Sequence, residues 1–288
     1  MDANYNQPLV VICGPTASGK SSIALDLASQ KTGEIICADS RTIYKGMDIG
    51  TAKPTKKEQN TIPHHLLDVV EPGERFTVYD FQQRAKESIK KIRANGRLPI
   101  LVGGTGLYID SIIFDYEFPL QENKQNDKFT DFSLNELQRY CLKNNISLPE
   151  NSKNKRYIIN SILRNNESGK KRSQPIDNTM IIGITANKEE LIERITSRTE
   201  HMFERGVVEE AKKLGEIYGW ENEAMTGNIY PLLKQYLDGT MTRHEVIAKF
   251  IVLDKRLAKR QMTWLKRNSF IHWSEREEAL GILLKALA

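Results

Sequence analysis

The sequence predicts an α/β fold: a parallel sheet flanked by helices, with a small all-helical domain inserted. Three observations predict it. Short apolar runs alternate with amphipathic stretches in the first third, the same rhythm resumes near residue 180, and between these blocks the composition shifts to Asn, Lys, Ser and Asp. Residues 9–13 read as a fully buried strand and 20–30 as the helix that follows it, while 34–38 and 99–102 are two more apolar runs of strand length. The insertion covers 119–178, with helical patterns at 134–142 and 157–163, and divides a core made of 1–118 and 179–288. Residues 180–185 begin the second half of the core as another buried strand; Asn187 then reads as a helix N-cap, with Leu191, Ile195 and Met202 on an apolar face beyond it. A long helical pattern over 242–267 opens with a capping box, Thr242 with Glu245, and an apolar-aromatic run follows at 270–273.

With 288 residues, 39% of them hydrophobic, the chain is long enough for one good core and a smaller lobe. No apolar run has the length of a membrane span or a signal-peptide core, so a soluble cytoplasmic protein without a membrane partner is expected. Cys13, Cys37 and Cys141 are widely spaced and form no CxxC pair, which argues against a disulfide framework or zinc site and for a reducing compartment. The adjacent His64 and His65 lack the Cys or acidic spacing of a metal site and read as structural. A net charge of +5 is compatible with a polyanionic partner but decides nothing alone.

Gly14-Pro15-Thr16-Ala17-Ser18-Gly19-Lys20-Ser21 follows the first strand and opens a helix, the context that a G-x-x-x-x-G-K-[ST] match requires. Backbone N–H groups of such a loop converge on phosphate oxygens, Lys20 adds a point charge, and the Ser21 hydroxyl is sited to ligate Mg²⁺. The expected architecture is therefore P-loop NTPase-like. An ordinary NTPase of this class places an acid at the end of a later apolar strand to help hold the metal. Here that strand runs on into Gly103-Gly104-Thr105-Gly106, which weakens a nucleotide hydrolase.

Asp39 follows the 34–38 run, where open α/β sheets bind ligands at the carboxyl ends of their strands. A carboxylate there can accept the proton of an exocyclic amine as its nitrogen attacks. Equally, Asp39 and Ser40 can simply cap the segment that follows, and position alone leaves both readings open.

Read together, the loop, then Asp39-Ser40-Arg41-Thr42-Ile43-Tyr44-Lys45-Gly46-Met47-Asp48-Ile49-Gly50-Thr51-Ala52-Lys53-Pro54, His64-His65-Leu66-Leu67-Asp68, Val102-Gly103-Gly104-Thr105-Gly106-Leu107-Tyr108 and Lys259-Arg260-Gln261-Met262-Thr263-Trp264-Leu265-Lys266-Arg267 resemble the tRNA dimethylallyltransferase (IPP transferase) family. The resemblance implies transfer of a dimethylallyl group from dimethylallyl diphosphate to N6 of adenosine 37 of tRNA, beside the anticodon. It implies that residues 14–21 hold the diphosphate with Mg²⁺, that Thr16, Lys20 and Ser21 contact it, and that Arg198 meets it from the far side of a channel. Asp39 is then the general base and Thr105 a catalytic-site residue that also contacts tRNA. It further implies tRNA contact by Asp39, Ser40, Arg41, Thr42, Arg156, Lys259, Arg260 and Arg267.

From charge alone the basic stretches in the insertion and on the late helix read as solvated faces at least as readily as an RNA surface. Departures from the family pattern sit at Tyr157 and Asn160, where arginines are common, and at 229–232, which replace a Gly-Tyr-x-Glu segment. No Cys and His pattern of the zinc-finger kind appended in eukaryotic members follows the late helix, so a bacterial-type enzyme is expected; nothing in the sequence demands more than a monomer. Transfer to free adenylate shares the catalytic residues and stays open, as does a P-loop small-molecule kinase.

Overall fold

The computed structural model describes residues 7–118, 129, 131–149, 151–164 and 170–288, with Arg156 and Arg164 described in backbone only. Six strands, β1 (Leu9–Cys13), β2 (Gly33–Ala38), β3 (His64–His65), β4 (Leu98–Gly103), β5 (Thr179–Ile184) and β6 (His272–Ser274), form one parallel sheet in the order β3-β2-β4-β1-β5-β6. Every residue of β1, β2 and β4 is buried. Helices cover both faces, and a strand buried on both sides is written as a continuous apolar run rather than an alternating one. Leu9, Val11 and Cys13 point to the face packed by Phe81, Ala85, Ile89 and Ile92 of α3 (Val78–Ala94) and by Tyr108, Ile109 and Ile112 of α4 (Gly106–Ile113). Val10 and Ile12 point to the other, packed by Ile23, Ala24 and Leu27 of α1 (Lys20–Gln30) and by Ala279 and Leu283 of α11 (Arg276–Ala286).

A second apolar cluster lies off the sheet. It joins Ile43, Tyr44 and Met47, beyond β2, to α7 (Lys188–Glu204), α8 (Val207–Tyr218), α9 (Tyr230–Leu237) and α10 (Arg243–Leu265). Asn187 caps α7 by accepting from the Glu190 amide, and Thr242 with Glu245 forms the full capping box of α10, as the sequence predicts. Of the elements that the sequence reading does not mark, two carry capping boxes of their own. α3 carries its own capping box, Thr77 with Asp80, and α2 (Lys56–Thr61) has another at Thr55 and Glu58.

Residues Asp115–Ser173 form a separate compact unit, with α5 (Leu134–Lys143) and α6 (Lys155–Arg164) packed around Leu137, Cys141, Ile158 and Ile162. The sequence reading set this insertion at 119–178. The later boundary moves because the Ile176 amide donates to the Ile113 carbonyl and Ile176 packs on the sheet's core, which ties the approach to β5 to the main unit.

Candidate active site

Register brings the functional loops together. Cys13 and Ala38 both align with Gly103, and Cys13 also aligns with Gly183, so β1, β2, β4 and β5 end at one level. The loops carrying Gly14, Asp39 and Thr105 therefore leave the same edge of the sheet, the place where open α/β folds bind ligands. The approach there is close: a Cβ on Gly103 would lie 2.0 Å from the Ala38 carbonyl oxygen, and one on Gly104 only 2.5 Å from Gln261 Nε2. Thr105 stitches two loops together, its amide donating to Ala38 (3.3 Å) and its hydroxyl accepting from the Ser40 amide (3.2 Å).

The 14–21 loop turns through Ala17 (φ 61°) and Gly19 (φ 87°), left-handed conformations that point successive amides to one side. Among the described residues none accepts from the amides of Ala17, Gly19 or Lys20, and the buried Ser18 hydroxyl has no partner. Orphaned donors at a helix N-terminus fit an anionic ligand of phosphate type. Lys20 donates to the Pro15 carbonyl (2.9 Å), and burial lowers its pKa to about 8; the Asp39 carboxylate works against that fall and the Arg198 cation adds to it. Lysine, aspartate and arginine thus share one electrostatic environment. Ser21, exposed on the first turn of α1, presents the hydroxyl expected to ligate Mg²⁺.

Of the two sequence readings of Asp39, the structure shows the local cap. Its Oδ1 accepts from the Arg41 amide (2.8 Å), a local cap, while the other oxygen has no partner among the described residues. Arg41 itself is tied to a turn at Ala224–Thr226, donating to the Glu223 carbonyl (2.9 Å) and the Thr226 hydroxyl (3.2 Å). Thr42, expected at the tRNA surface, is instead 6% exposed, its hydroxyl enclosed and without a partner among the described residues. The rest of the long motif after Asp39 is scaffold. Buried Lys53 donates to Asp48 and Asp68 (2.6 Å each) and to the Tyr44 carbonyl, and Glu210 of α8 accepts from the amides of Asp48, Ile49 and Gly50 and from the Tyr230 hydroxyl.

Arg198, which without the family resemblance reads as a solvated helix charge, reaches the loop. Its Nη1 donates to the Thr16 hydroxyl (2.8 Å) and its Nη2 pairs with Asp254 of α10, beside a cavity of about 510 Å³ lined by Glu193, Arg194, Ser197, Arg198, His201 and Arg205. From α10, Gln261 Oε1 accepts the Thr16 amide (2.8 Å). Trp264 lies over Gly106 and donates to Asp110 (2.7 Å). The opposite side of the helix is basic: Arg256, Lys259, Arg260, Thr263 and Arg267, with the edge of Trp264, line a cavity of about 400 Å³. Sequence reasoning missed Glu210, Asp254 and the inward role of Gln261; only Gln261 lay in a quoted motif. Arg156 sits on α6, and its side chain lies outside the described residues.

His64 Nδ1 donates to the Ile62 carbonyl (2.7 Å), and His65 pairs with the buried Glu34 (2.6 Å), so both rings are tied into the fold. Among the described residues no group of three His, Cys, Asp or Glu forms a metal cage, and no helix is long and apolar enough to cross a membrane.

The sequence model of the IPP transferase family matches residues 42–268. A tRNA dimethylallyltransferase of Anoxybacillus flavithermus is 38% identical, with 93% of this chain and 90% of the relative covered. That of Bacillus subtilis is 33% identical, with 98% and 95% covered. Among solved structures, the tRNA isopentenylpyrophosphate transferase of Bacillus halodurans superimposes with a TM-score of 0.74 at 31% identity, covering 98% of this chain and 95% of that one. A eukaryotic dimethylallyltransferase acting on tRNA shares the fold at TM-score 0.80 and 22% identity, with 93% of this chain and 74% of that one covered.

Proposed function

Because this chain belongs to the IPP transferase family, we propose that residues 14–21 hold the diphosphate of dimethylallyl diphosphate and that Asp39 serves N6 of adenosine 37 as general base. The enzyme is a prenyltransferase that transfers a dimethylallyl group to tRNA and releases diphosphate. In the proposed step the N6 lone pair forms a bond to the allylic carbon, the carbon–oxygen bond to diphosphate breaks with its electron pair, and the N6 proton passes to Asp39. N6 of adenine is a poor nucleophile, so orientation, proton removal and leaving-group stabilisation each lower the barrier.

The observation that carries this reading is the placement of Asp39 and Lys20 at one edge of the sheet, beyond β2 and β1: a half-buried carboxylate with one oxygen unengaged among the described residues, whose charge is felt by the lysine of an unsatisfied phosphate loop. The loop amides, Lys20 and Arg198 receive the charge that develops on diphosphate. Mg²⁺, when bound, supplies further charge neutralisation to the leaving group. Ser21 would hold it, and a donor set completed by phosphate and water oxygens needs no protein carboxylate cage.

For tRNA, the half-buried Asp39, Ser40 and Arg41 together with Thr105 line the catalytic end, and Arg156, Lys259, Arg260 and Arg267 supply backbone contacts. The target base must leave its stack at a cost of about a few kcal/mol, which such cations offset. We place the enzyme in the cytoplasm as a monomer; its three free cysteines fit a reducing compartment.

The test is incubation with dimethylallyl diphosphate, Mg²⁺ and an anticodon stem-loop, with AMP as competitor. The expected result is a mass gain of one prenyl group on the loop adenosine. Prenylation of AMP in preference, or phosphate transfer from ATP, overturns it.

A further inference from the structure

We propose that Asp254, with Asn228, is a positioning residue for the transfer: it holds the Arg198 guanidinium against the phosphate loop and so aims it at the diphosphate. This rests on the reading of that loop given above.

Asp254 is 3% exposed, on the inward face of α10 between the buried Phe250 and Ala258. A carboxylate taken out of water costs several kcal/mol unless it is paired and hydrogen-bonded. Here it is both: one oxygen pairs with Arg198 Nη2 and the other accepts from Asn228 Nδ2 at 2.7 Å. Stability is a poor reason for such a pair, since apolar replacements are often as stable.

What the pair does achieve is aim. Arg198 has a long, flexible side chain and borders a cavity that Glu193 of its own helix also lines. With Nη2 fixed by Asp254, Nη1 meets Thr16 Oγ1 at 2.8 Å, and Nε remains a buried donor without a partner among the described residues. A guanidinium fixed at one nitrogen and unsatisfied at another is preorganised for an incoming anion, which then pays less ordering entropy on binding.

The closing experiment compares Asp254→Asn, Arg198→Ala and the double variant. Each is followed by thermal melting, inorganic diphosphate affinity, kcat with an anticodon stem-loop, and stem-loop affinity. Asp254→Asn keeps shape and one acceptor but drops the charge. Expected are a lowered melting temperature, because one donor now faces another, and stem-loop affinity like the parent's, with diphosphate affinity and kcat of the folded protein each down about tenfold, the scale typical of residues that orient a ligating group. In the Arg198→Ala background Asp254→Asn adds nothing. A structural role alone would move the melt and leave the diphosphate affinity of the folded fraction intact.

Parent-like diphosphate affinity in Asp254→Asn, while Arg198→Ala is weakened, overturns the inference alone. So does a full deficit that persists without Arg198. Parent-like affinity in Arg198→Ala overturns the reading of the site and this inference with it. Should Asp254→Asn not fold, Asn228→Ala tests the same clamp from its other arm, with an expected loss of about threefold; no loss there overturns the clamp.

Discussion

On the inward face of α10, Asp254 and Gln261 lie two helical turns apart and each meets a named group, Arg198 and Asn228 for one and the Thr16 amide for the other. On the outward face of the same helix, Arg256, Lys259 and Arg260, with Arg267 just beyond its end, are exposed and border an open cavity. The inward groups are few, partly desolvated and fixed, so each acts through geometry. The outward ones are solvated and mobile at their tips, so they act through summed charge. One rigid helix thus connects a surface suited to a polyanion with the loop suited to a diphosphate, and substitutions on its two sides ought to separate chemistry from binding.

The largest effect belongs to the site that the inward face supports. Asp39→Ala should lower single-turnover prenylation by about a thousandfold, the middle of the range for a lost general base, with stem-loop affinity unchanged within about twofold. Quench-flow transfer and a binding titration on the same preparation measure the two quantities. If transfer persists at a comparable rate, Asp39 has no part in proton removal and its bond to the Arg41 amide is its whole role.

The outward face predicts the reverse pattern. Lys259→Ala with Arg260→Ala should weaken stem-loop binding about tenfold at low salt and flatten the logarithmic salt dependence by about one for each lost phosphate contact, while transfer at saturating stem-loop stays near that of the parent. An unchanged salt slope moves the RNA surface away from α10. A drop in saturated transfer instead shows that the two faces are not separable.

The contrast between the faces also explains what could be read from sequence. The phosphate loop, Asp39 and the strands 9–13 and 180–185 were legible because their signals are local: fixed spacing in one case, continuous apolar runs in the other. The basic surface of α10 was legible as composition, though composition alone could not separate an RNA surface from a solvated face. The fixed inward groups were not. Arg198 meets Asp254 at a separation of 56 residues, and Thr16 meets Gln261 at 245, distances over which one sequence carries no pairing signal. α3 escaped for another reason. Its apolar stripe, Phe81, Ala85, Ile89 and Ile92, is narrow and embedded in charged residues, so only the Thr77 and Asp80 cap marked it. The buried Thr42 escaped because neighbours in a conspicuous motif were expected to share one role, whereas the chain turns inward between Arg41 and Ile43.

Lys20 gives the smallest and most specific test, because it is a cation held in the fixed manner of the inward face. Its pKa falls from 10.5 to about 8, chiefly through burial. The folded protein therefore releases this proton before the unfolded chain does, and across the window from about 8 to 10.5 the unfolded chain binds more protons. Stability of the ligand-free protein should rise with pH through that window by an amount missing in Lys20→Met, because the penalty of a buried charge is fully present below it. Diphosphate affinity should move the other way. Dividing parent by Lys20→Met affinity cancels the ligand's own ionisation, and the ratio should decline severalfold, by about threefold or more, as pH rises through the lysine's transition. A ratio flat in pH would mean that Lys20 keeps its proton beyond the window, with Asp39 outweighing burial, and the electrostatic partnership between loop and base would then be tighter than the geometry implies.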